Sequence, residues 1–256
     1  MKLNKAQLEA VRYYEGDVSG DDPFWGDPKA YVTLNSLFYE GIGTERRRAA
    51  EGKYLNPAVI EDPERLVRIL ADLLSAFRCA DLSRERKTYR VERYADFLEM
   101  KQAGRTVSFT STSSGGFLKA YGDRIGIALM EFTIPAGVPC LPFAEVLGGG
   151  YLKTEEQEIL LPPGLTASFE EVPVNAEERL ITDAEGNPPL LKCRAVPGAF
   201  IRAADPGGFD PQGPFAGKQV YEALDRGQEP DAEAVRIYTA WKKQVRDHLL
   251  HRQSVI

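Results

Sequence analysis

Apolar residues in the first 86 positions recur every three or four residues, which is the spacing of amphipathic helices. A first helix carries the stripe Leu3, Leu8, Val11 and Tyr14, and a second is predicted over residues 30–39. Between them, residues 16–28 are rich in Gly, Asp and Pro and predict a loop. A third helix is predicted over residues 63–77, because Asp62-Pro63 is a good helix start. The pattern therefore indicates a helical N-terminal part.

From residue 88 to about residue 204, the apolar positions form short runs that are typical of β-strands. Turn residues separate several of these runs, for example residues 183–187. Helices followed by strands indicate an α+β fold. The predicted strands are residues 88–91, 106–110, 125–134, 158–161, 167–174 and 190–196.

The C-terminal part opens with residues 205–216, whose Gly, Pro and Asp content predicts a linker. A helix is then predicted over residues 230–252, because Val235, Tyr238, Trp241, Val245 and Leu249 follow one stripe. We expect this helix to pack on the rest of the protein, with partner binding as the alternative. The predicted organisation is a domain over 1–204, divided at 86/87 into helical and β parts, followed by 205–256 as linker and C-terminal helix.

The composition is that of a soluble globular protein: 43% of the 256 residues are hydrophobic and 27% are charged. The formal net charge of −6 argues against a general nucleic-acid binder, which needs a basic surface. No apolar stretch approaches the roughly 20 residues that span a bilayer, and residues 1–7 lack the apolar core of a secretory signal. Three widely spaced cysteines support neither a disulfide framework nor a zinc site. We expect each to be a small buried side chain, with a reactive thiol as the alternative.

An acidic segment, residues 155–158, leads into the apolar run Ile159-Leu160-Leu161. On a strand, Glu156 and Glu158 would project from the same side, with their roots roughly 7 Å apart. Two carboxylates that close together resist joint burial, so they are costly as structure and suited to chemistry. A solvated edge strand is the alternative for this segment taken alone.

Three motifs in order resemble the Arg-Ser-Glu class of mono-ADP-ribosyltransferases, which includes actin-modifying bacterial toxins and vertebrate ecto-enzymes. The motifs are Tyr89-Arg90, Phe109-Thr110-Ser111-Thr112-Ser113 and Glu156-Gln157-Glu158. Residues 10–14, 34–37, 131–134 and 137–139 are similar to further signatures of that family. The resemblance extends over roughly residues 3–175 and depends on the ordered set, since each motif alone is common.

The resemblance implies the ADP-ribosyltransferase fold: an N-terminal helical cap, a two-sheet, mainly antiparallel β core around the NAD cleft, and here an added C-terminal helix. Residues 1–204 would form the catalytic domain. The implied activity is transfer of ADP-ribose from NAD, as co-substrate, to an arginine side chain of a target protein, with release of nicotinamide and without a metal.

The resemblance also implies roles for the motif residues. Glu158 would stabilise the oxocarbenium-like ribose, as carboxylates do in glycoside hydrolysis. The Arg90 guanidinium suits the pyrophosphate of NAD, and Ser111 would hydrogen-bond Glu158 and orient it. Thr112 and Ser113 lie beside Ser111 in the NAD-binding motif, where we expect them chiefly to stabilise the strand and its turn.

The resemblance further implies that Glu156 decides the acceptor, since in that family a glutamate two positions before the catalytic one accompanies arginine modification. A carboxylate there can assist removal of a guanidinium proton. Glu155 is expected to be a solvated neighbour. In the loop after the serine motif, Phe117 is a candidate to stack on nicotinamide and Lys119 to meet a phosphate, with ordinary packing and a solvated charge as the alternatives. Residues 146–155 correspond to the family's acceptor-recognition loop. Tyr151 is the only aromatic residue in this segment and lies farther from Glu156 than is usual in the family.

Three alternative functions are an NAD glycohydrolase, in which water replaces arginine, a carbohydrate glycosidase, and an inactive relative acting as a binding module. A glycosidase would need an aromatic-lined cleft, whereas Trp25 and Trp241 are far from the acidic motif. Inactivity would be indicated by loss of Arg90, Ser111 or Glu158, and all three are present. By similarity to bacterial effectors, we expect delivery into a host or competitor cell, otherwise a cytoplasmic enzyme, and an immunity or inhibitor protein is a candidate partner.

Overall fold

The computed structural model describes residues 2–16, 30–52, 58–113, 127–148, 156–171, 190–195, 210 and 212–249. These residues fall into two compact units. One is made almost entirely of Phe77–Ile201 and contains the described strands; the other consists of Leu3–Ala76 and Arg202–Ser254 and is helical. The α+β class predicted from the sequence is therefore confirmed.

The helical unit contains seven of the described helices. α1 begins after Asn4, whose side chain caps the helix and forms a capping box with Gln7. Asp62 caps the start of α5 by accepting a hydrogen bond from the Arg65 N–H at 3.0 Å. The helices are α1 Lys5–Glu15, α2 Ala30–Ser36, α3 Gly43–Ala50, α4 Ala58–Glu61, α5 Pro63–Ala76, α8 Gln212–Asp225 and α9 Ala232–Leu249.

The last two helices pack against each other, and three residues of the stripe predicted from the sequence are buried: Tyr238 and Val245 at 0% and Trp241 at 1% exposure, whereas Val235 is half-buried. α8 begins at Gln212, so the stretch that was predicted to be a linker as far as residue 216 is helical over its last five residues. The reason is close packing. A Cβ atom on Gly213 would lie 2.2 Å from Cγ of Trp241, so glycine is needed here to let the two helices approach.

The described strands of the β unit form two sheets. The larger has the order β1-β3-β7-β6, in which β3 and β7 are parallel and the other pairs antiparallel. The smaller has the order β2-β5-β4 and is antiparallel throughout. The elements are β1 Arg86–Arg93, α6 Tyr94–Ala103, β2 Thr110–Thr112, β3 Ile127–Ile134, β4 Leu141–Pro142, α7 Phe143–Leu147, β5 Ile159–Leu161, β6 Ala167–Glu171 and β7 Leu190–Ala195.

An apolar core lies in the described part of the β unit, and it includes the inward face of β3, where Met130, Phe132 and Ile134 are fully buried. Cys140 belongs to this core, as expected for a small buried side chain, but Cys79 is exposed, so the expectation of burial is wrong for Cys79. No helix in the described ranges is both long enough and apolar enough to cross a membrane.

Candidate active site

Among the described residues, an antiparallel bridge between Tyr89 of β1 and Ser113, just after β2, joins the two sheets. Each residue donates its backbone N–H to the carbonyl of the other, at 2.8 and 2.7 Å. This bridge brings the arginine motif beside the serine motif, although they are separated by about 20 residues in sequence. Arg90 then reaches across, and its Nη1 donates to the carbonyl oxygen of Ser111 at 2.8 Å.

Ser111 and Glu158 are joined by the hydrogen bond that the family resemblance predicted. Oγ of Ser111 donates to Oε1 of Glu158 at 2.5 Å. The register explains the contact, because Ser111 lies opposite Leu160 and Glu158 is two residues before Leu160, at the diagonal position. Glu158 is only 8% exposed, so this charge-assisted bond lies in a largely desolvated place.

The backbone of Glu158 is also fixed, because its carbonyl accepts a hydrogen bond from the N–H of Phe143 at 3.0 Å. Phe143 is the first residue of α7, and its side chain is fully buried. The neighbouring strand residues Pro142 and Ile159 pair across the sheet. The carboxylate is therefore held at its backbone by α7 and at its side chain by β2.

Thr112 and Ser113 occupy structural positions, as expected for residues that stabilise the strand and its turn. The hydroxyl of Thr112 donates to the carbonyl of Ile159 at 2.9 Å and is buried. Ser113 is 7% exposed and forms the bridge to β1 through its backbone.

Glu156-Gln157-Glu158 does not form the strand that was predicted to place Glu156 and Glu158 on the same side. β5 begins only at Ile159, and Gln157 has a φ of 45°, the one positive φ of a residue other than glycine in the described chain. A residue in this left-handed region turns the chain, so the alternation of strand side chains does not apply between Glu156 and Glu158. Gln157 is exposed, Glu156 is half-buried and Glu158 is buried.

A residue that the motifs did not indicate is Glu92, two positions after Arg90 on β1. Its Oε2 accepts a hydrogen bond from Nε of Arg90 at 2.6 Å. Burial raises the pKa of Glu92, but the Arg90 charge and hydrogen bonds from Arg90, the Arg93 N–H and Asp96 outweigh burial, so the pKa lies below its ordinary value. The i, i+2 spacing on a strand was the signal that could have found it.

Three predicted site residues, Phe117, Lys119 and Tyr151, lie outside the described residues, as does Glu155. The structure brings together Arg90, Ser111 and Glu158 in one connected network, with Glu92 at its far end. Chemically, the network presents a buried, oriented carboxylate and a guanidinium that is held at two of its nitrogens, and Ser111 contacts both.

No protein-family model matches the sequence, and no curated protein matches it. Similar solved structures include an ADP-ribosyltransferase from Clostridium botulinum, with 12% identity, a TM-score of 0.46, and coverage of 75% of this chain and 87% of that one. An ADP-ribosylating toxin from a binary enterotoxin of C. perfringens has 15% identity, a TM-score of 0.46, and coverage of 76% of this chain but only 44% of that one. The C3 exoenzyme of Clostridium limosum has 13% identity, a TM-score of 0.45, and coverage of 76% and 87%.

Proposed function

We propose that this protein transfers ADP-ribose from NAD to an arginine side chain of a target protein and releases nicotinamide. The observation that carries the proposal is the Arg90–Ser111–Glu158 network, in which one hydroxyl orients a buried carboxylate and Arg90 donates to the carbonyl of the same serine. The order of the three motifs along the chain supports the same activity.

In the proposed reaction, the bond between the ribose carbon and the nicotinamide nitrogen breaks, and nicotinamide leaves with the electron pair. Positive charge develops on the ribose, and the Glu158 carboxylate stabilises it. The bond from Ser111 costs no reorganisation at that moment because it is already formed. Arg90 contributes a fixed positive charge for the pyrophosphate of NAD.

The acceptor guanidinium then attacks the same ribose carbon, and Glu156 takes the proton that this nitrogen loses. Glu156 is half-buried and follows no strand geometry, which supports a carboxylate that faces an incoming side chain rather than one that packs in the core. If water attacks instead of arginine, the same residues hydrolyse NAD, so hydrolysis is the competing outcome of one chemistry.

The test is to incubate the full chain with labelled NAD and an arginine-rich acceptor mixture, following nicotinamide release and label transfer together. Glu158→Gln is expected to lose both, and Glu156→Gln is expected to lose transfer while retaining release. Glu170→Gln is the matched control, because Glu170 is an exposed glutamate on β6 of the same unit. Release without transfer by the unmodified protein would favour a glycohydrolase, and absence of release would overturn the proposal.

A further inference from the structure

Glu92 is the end of a hydrogen-bonded chain that leads to the proposed catalytic carboxylate. Its Oε2 accepts from Nε of Arg90 at 2.6 Å, and Nη1 of Arg90 donates to the Ser111 carbonyl at 2.8 Å. Oγ of Ser111 then donates to Glu158 at 2.5 Å. The chain connects β1, β2 and the residue before β5 through three contacts, and each one is of charge-assisted strength.

Glu92 is well suited to hold Arg90, because it is itself held by the backbone. Its other oxygen, Oε1, accepts from the N–H of Arg93 at 3.2 Å, at the point where β1 ends and α6 begins. The side chains of Arg90 and Glu92 are 29% and 17% exposed, so solvent screens the pair much less than it screens a surface ion pair. Their i, i+2 spacing places both on the β1 face that also carries the buried Thr88.

We infer that Glu92 is a positioning residue for Arg90, an inference that rests on the proposed function because it assumes that Arg90 binds the NAD pyrophosphate. Gripping Nε fixes the rotation of the planar guanidinium, and with it the direction of its remaining donors. A guanidinium with several accessible rotamers would have to lose that freedom each time NAD binds. Glu92 removes this cost in advance.

Two effects of the Glu92 carboxylate on NAD binding oppose each other, and this makes the inference testable. Its negative charge repels the pyrophosphate, while its hydrogen bond orients Arg90. If charge dominated, both Glu92→Ala and Glu92→Gln would lower the KM for NAD. If orientation dominates, Glu92→Ala raises the KM about tenfold, the change expected from one charge-assisted hydrogen bond. Glu92→Gln retains an oxygen acceptor for Nε and should stay within about threefold of the unmodified protein.

The experiment measures KM and kcat for nicotinamide release by the full chain and by both variants, with NAD affinity from calorimetry. We expect kcat to change by less than about threefold, because oriented pyrophosphate binding acts equally on ground and transition states. Glu145→Gln is the control. Glu145 pairs with Arg86, which lies on β1 as Glu92 does, but it makes none of the hydrogen bonds that connect Glu92 with Glu158. In an Arg90→Ala background the orienting hydrogen bond is absent and only the charge repulsion remains, so Glu92→Ala should no longer weaken NAD binding.

Failure of this inference differs from failure of the proposed function. An unmodified protein that neither binds NAD nor releases nicotinamide refutes the function; Glu92→Ala matching Glu145→Gln in an active protein refutes the role of Glu92. The Nε–Hε resonance of Arg90, observed by NMR without NAD, tests the hydrogen bond between Arg90 and Glu92 whether or not the protein is active. It should shift and exchange faster in Glu92→Ala, and an unchanged resonance would overturn the inference. If Glu92→Ala unfolds, Glu92→Leu serves the same tests, because leucine fills a similar volume and offers no acceptor for Nε.

Discussion

Replacing Lys242 with methionine should be one of the most damaging single substitutions in the helical unit. Lys242 of α9 is 1% exposed, and its Nζ donates to Oε1 of Glu45 in α3 at 2.7 Å and to the Gly41 carbonyl at 3.0 Å. Glu45 is 0% exposed, and its Oε1 also accepts from the Tyr238 hydroxyl at 3.1 Å. Removing the cation would leave a buried carboxylate with a neutral donor only.

The expected loss of unfolding free energy follows from the buried Glu45 carboxylate losing its cation. Burial lowers the pKa of Lys242 below its ordinary value although Glu45 opposes the shift, so desolvation is the larger effect at this site. Breaking such a pair from one side costs about 3–5 kcal/mol of unfolding free energy, because the remaining charge stays buried. Replacing both partners, Lys242→Met with Glu45→Leu, should restore at least half of the loss, since no uncompensated charge remains.

The neighbouring lysine provides a matched control. Lys243 pairs with Asp247 one turn later on α9, but their side chains are 67% and 60% exposed, so Lys243→Met should cost less than about 0.5 kcal/mol. The free energies of unfolding are measured by urea denaturation, which is monitored by tryptophan fluorescence. A Trp25→Phe background leaves Trp241 as the remaining tryptophan. Trp241 stacks on Tyr238 at 6.1 Å and so reports on this region.

Three results would refute this reasoning. If Lys242→Met is no more destabilising than Lys243→Met, burial does not set the strength of the pair. If the double variant loses as much stability as Lys242→Met, the cost is one of packing rather than of an unpaired charge. A change in the slope of the urea dependence would mean that the compactness of the denatured or native state, or the two-state character of unfolding, had changed, and not the folded contact alone.

Other substitutions test the β unit. Ser111→Ala should cost about 1.5–3 kcal/mol of stability and also lower kcat for nicotinamide release, since the hydroxyl donates to Glu158; a stability loss with unchanged kcat contradicts the orienting role. Burial raises the pKa of Cys140 from an ordinary 9.0 to about 12, so the folded state retains the thiol proton that the unfolded chain loses. Stability should therefore fall by about 1.4 kcal/mol from pH 7 to pH 10 relative to Cys140→Ala, and parallel pH profiles would contradict this. At Gln157, the left-handed backbone should make Gln157→Val about 1–2 kcal/mol less stable than Gln157→Gly in urea denaturation; equal stabilities would count against strain at that position.

The longest amphipathic segments could be predicted from sequence because burial alone determines their periodicity. The helix predicted over residues 63–77 is observed as α5 Pro63–Ala76, and that predicted over 30–39 is the shorter α2, Ala30–Ser36. Strand β1 was predicted as residues 88–91 and is longer at both ends, Arg86–Arg93. Its added residues pair with β3 through backbone hydrogen bonds, and such pairing leaves little trace in side-chain hydrophobicity.

Elements fixed by tertiary contacts could not be predicted. Helix α6 has weak periodicity, although Phe97 and Met100 are buried in the core, and the Gly-rich start of α8 resembled a linker because its glycines serve helix packing. The strand predicted over residues 106–110 is observed as Thr110–Thr112, where pairing with β5 sets the position. In the site, the motif order predicted the Ser111–Glu158 contact, but a positive φ is not visible in a Glu-Gln-Glu spacing.

The packing of α9 changes how a recognition role for the C-terminal helix must be tested. Deleting α9 would remove Lys242, Tyr238 and Trp241 together and leave Glu45 without its cation. It would also expose the face of α8 on which Gly213 lies against Trp241. Loss of protein modification after such a deletion would therefore report unfolding as readily as lost recognition. The outer face of α9 offers the cleaner change, because its charged side chains are exposed and pair within the helix, as Arg236 does with Glu233. Charge reversal there leaves the buried pair intact, so a loss of transfer with unchanged nicotinamide release would assign target recognition to that face.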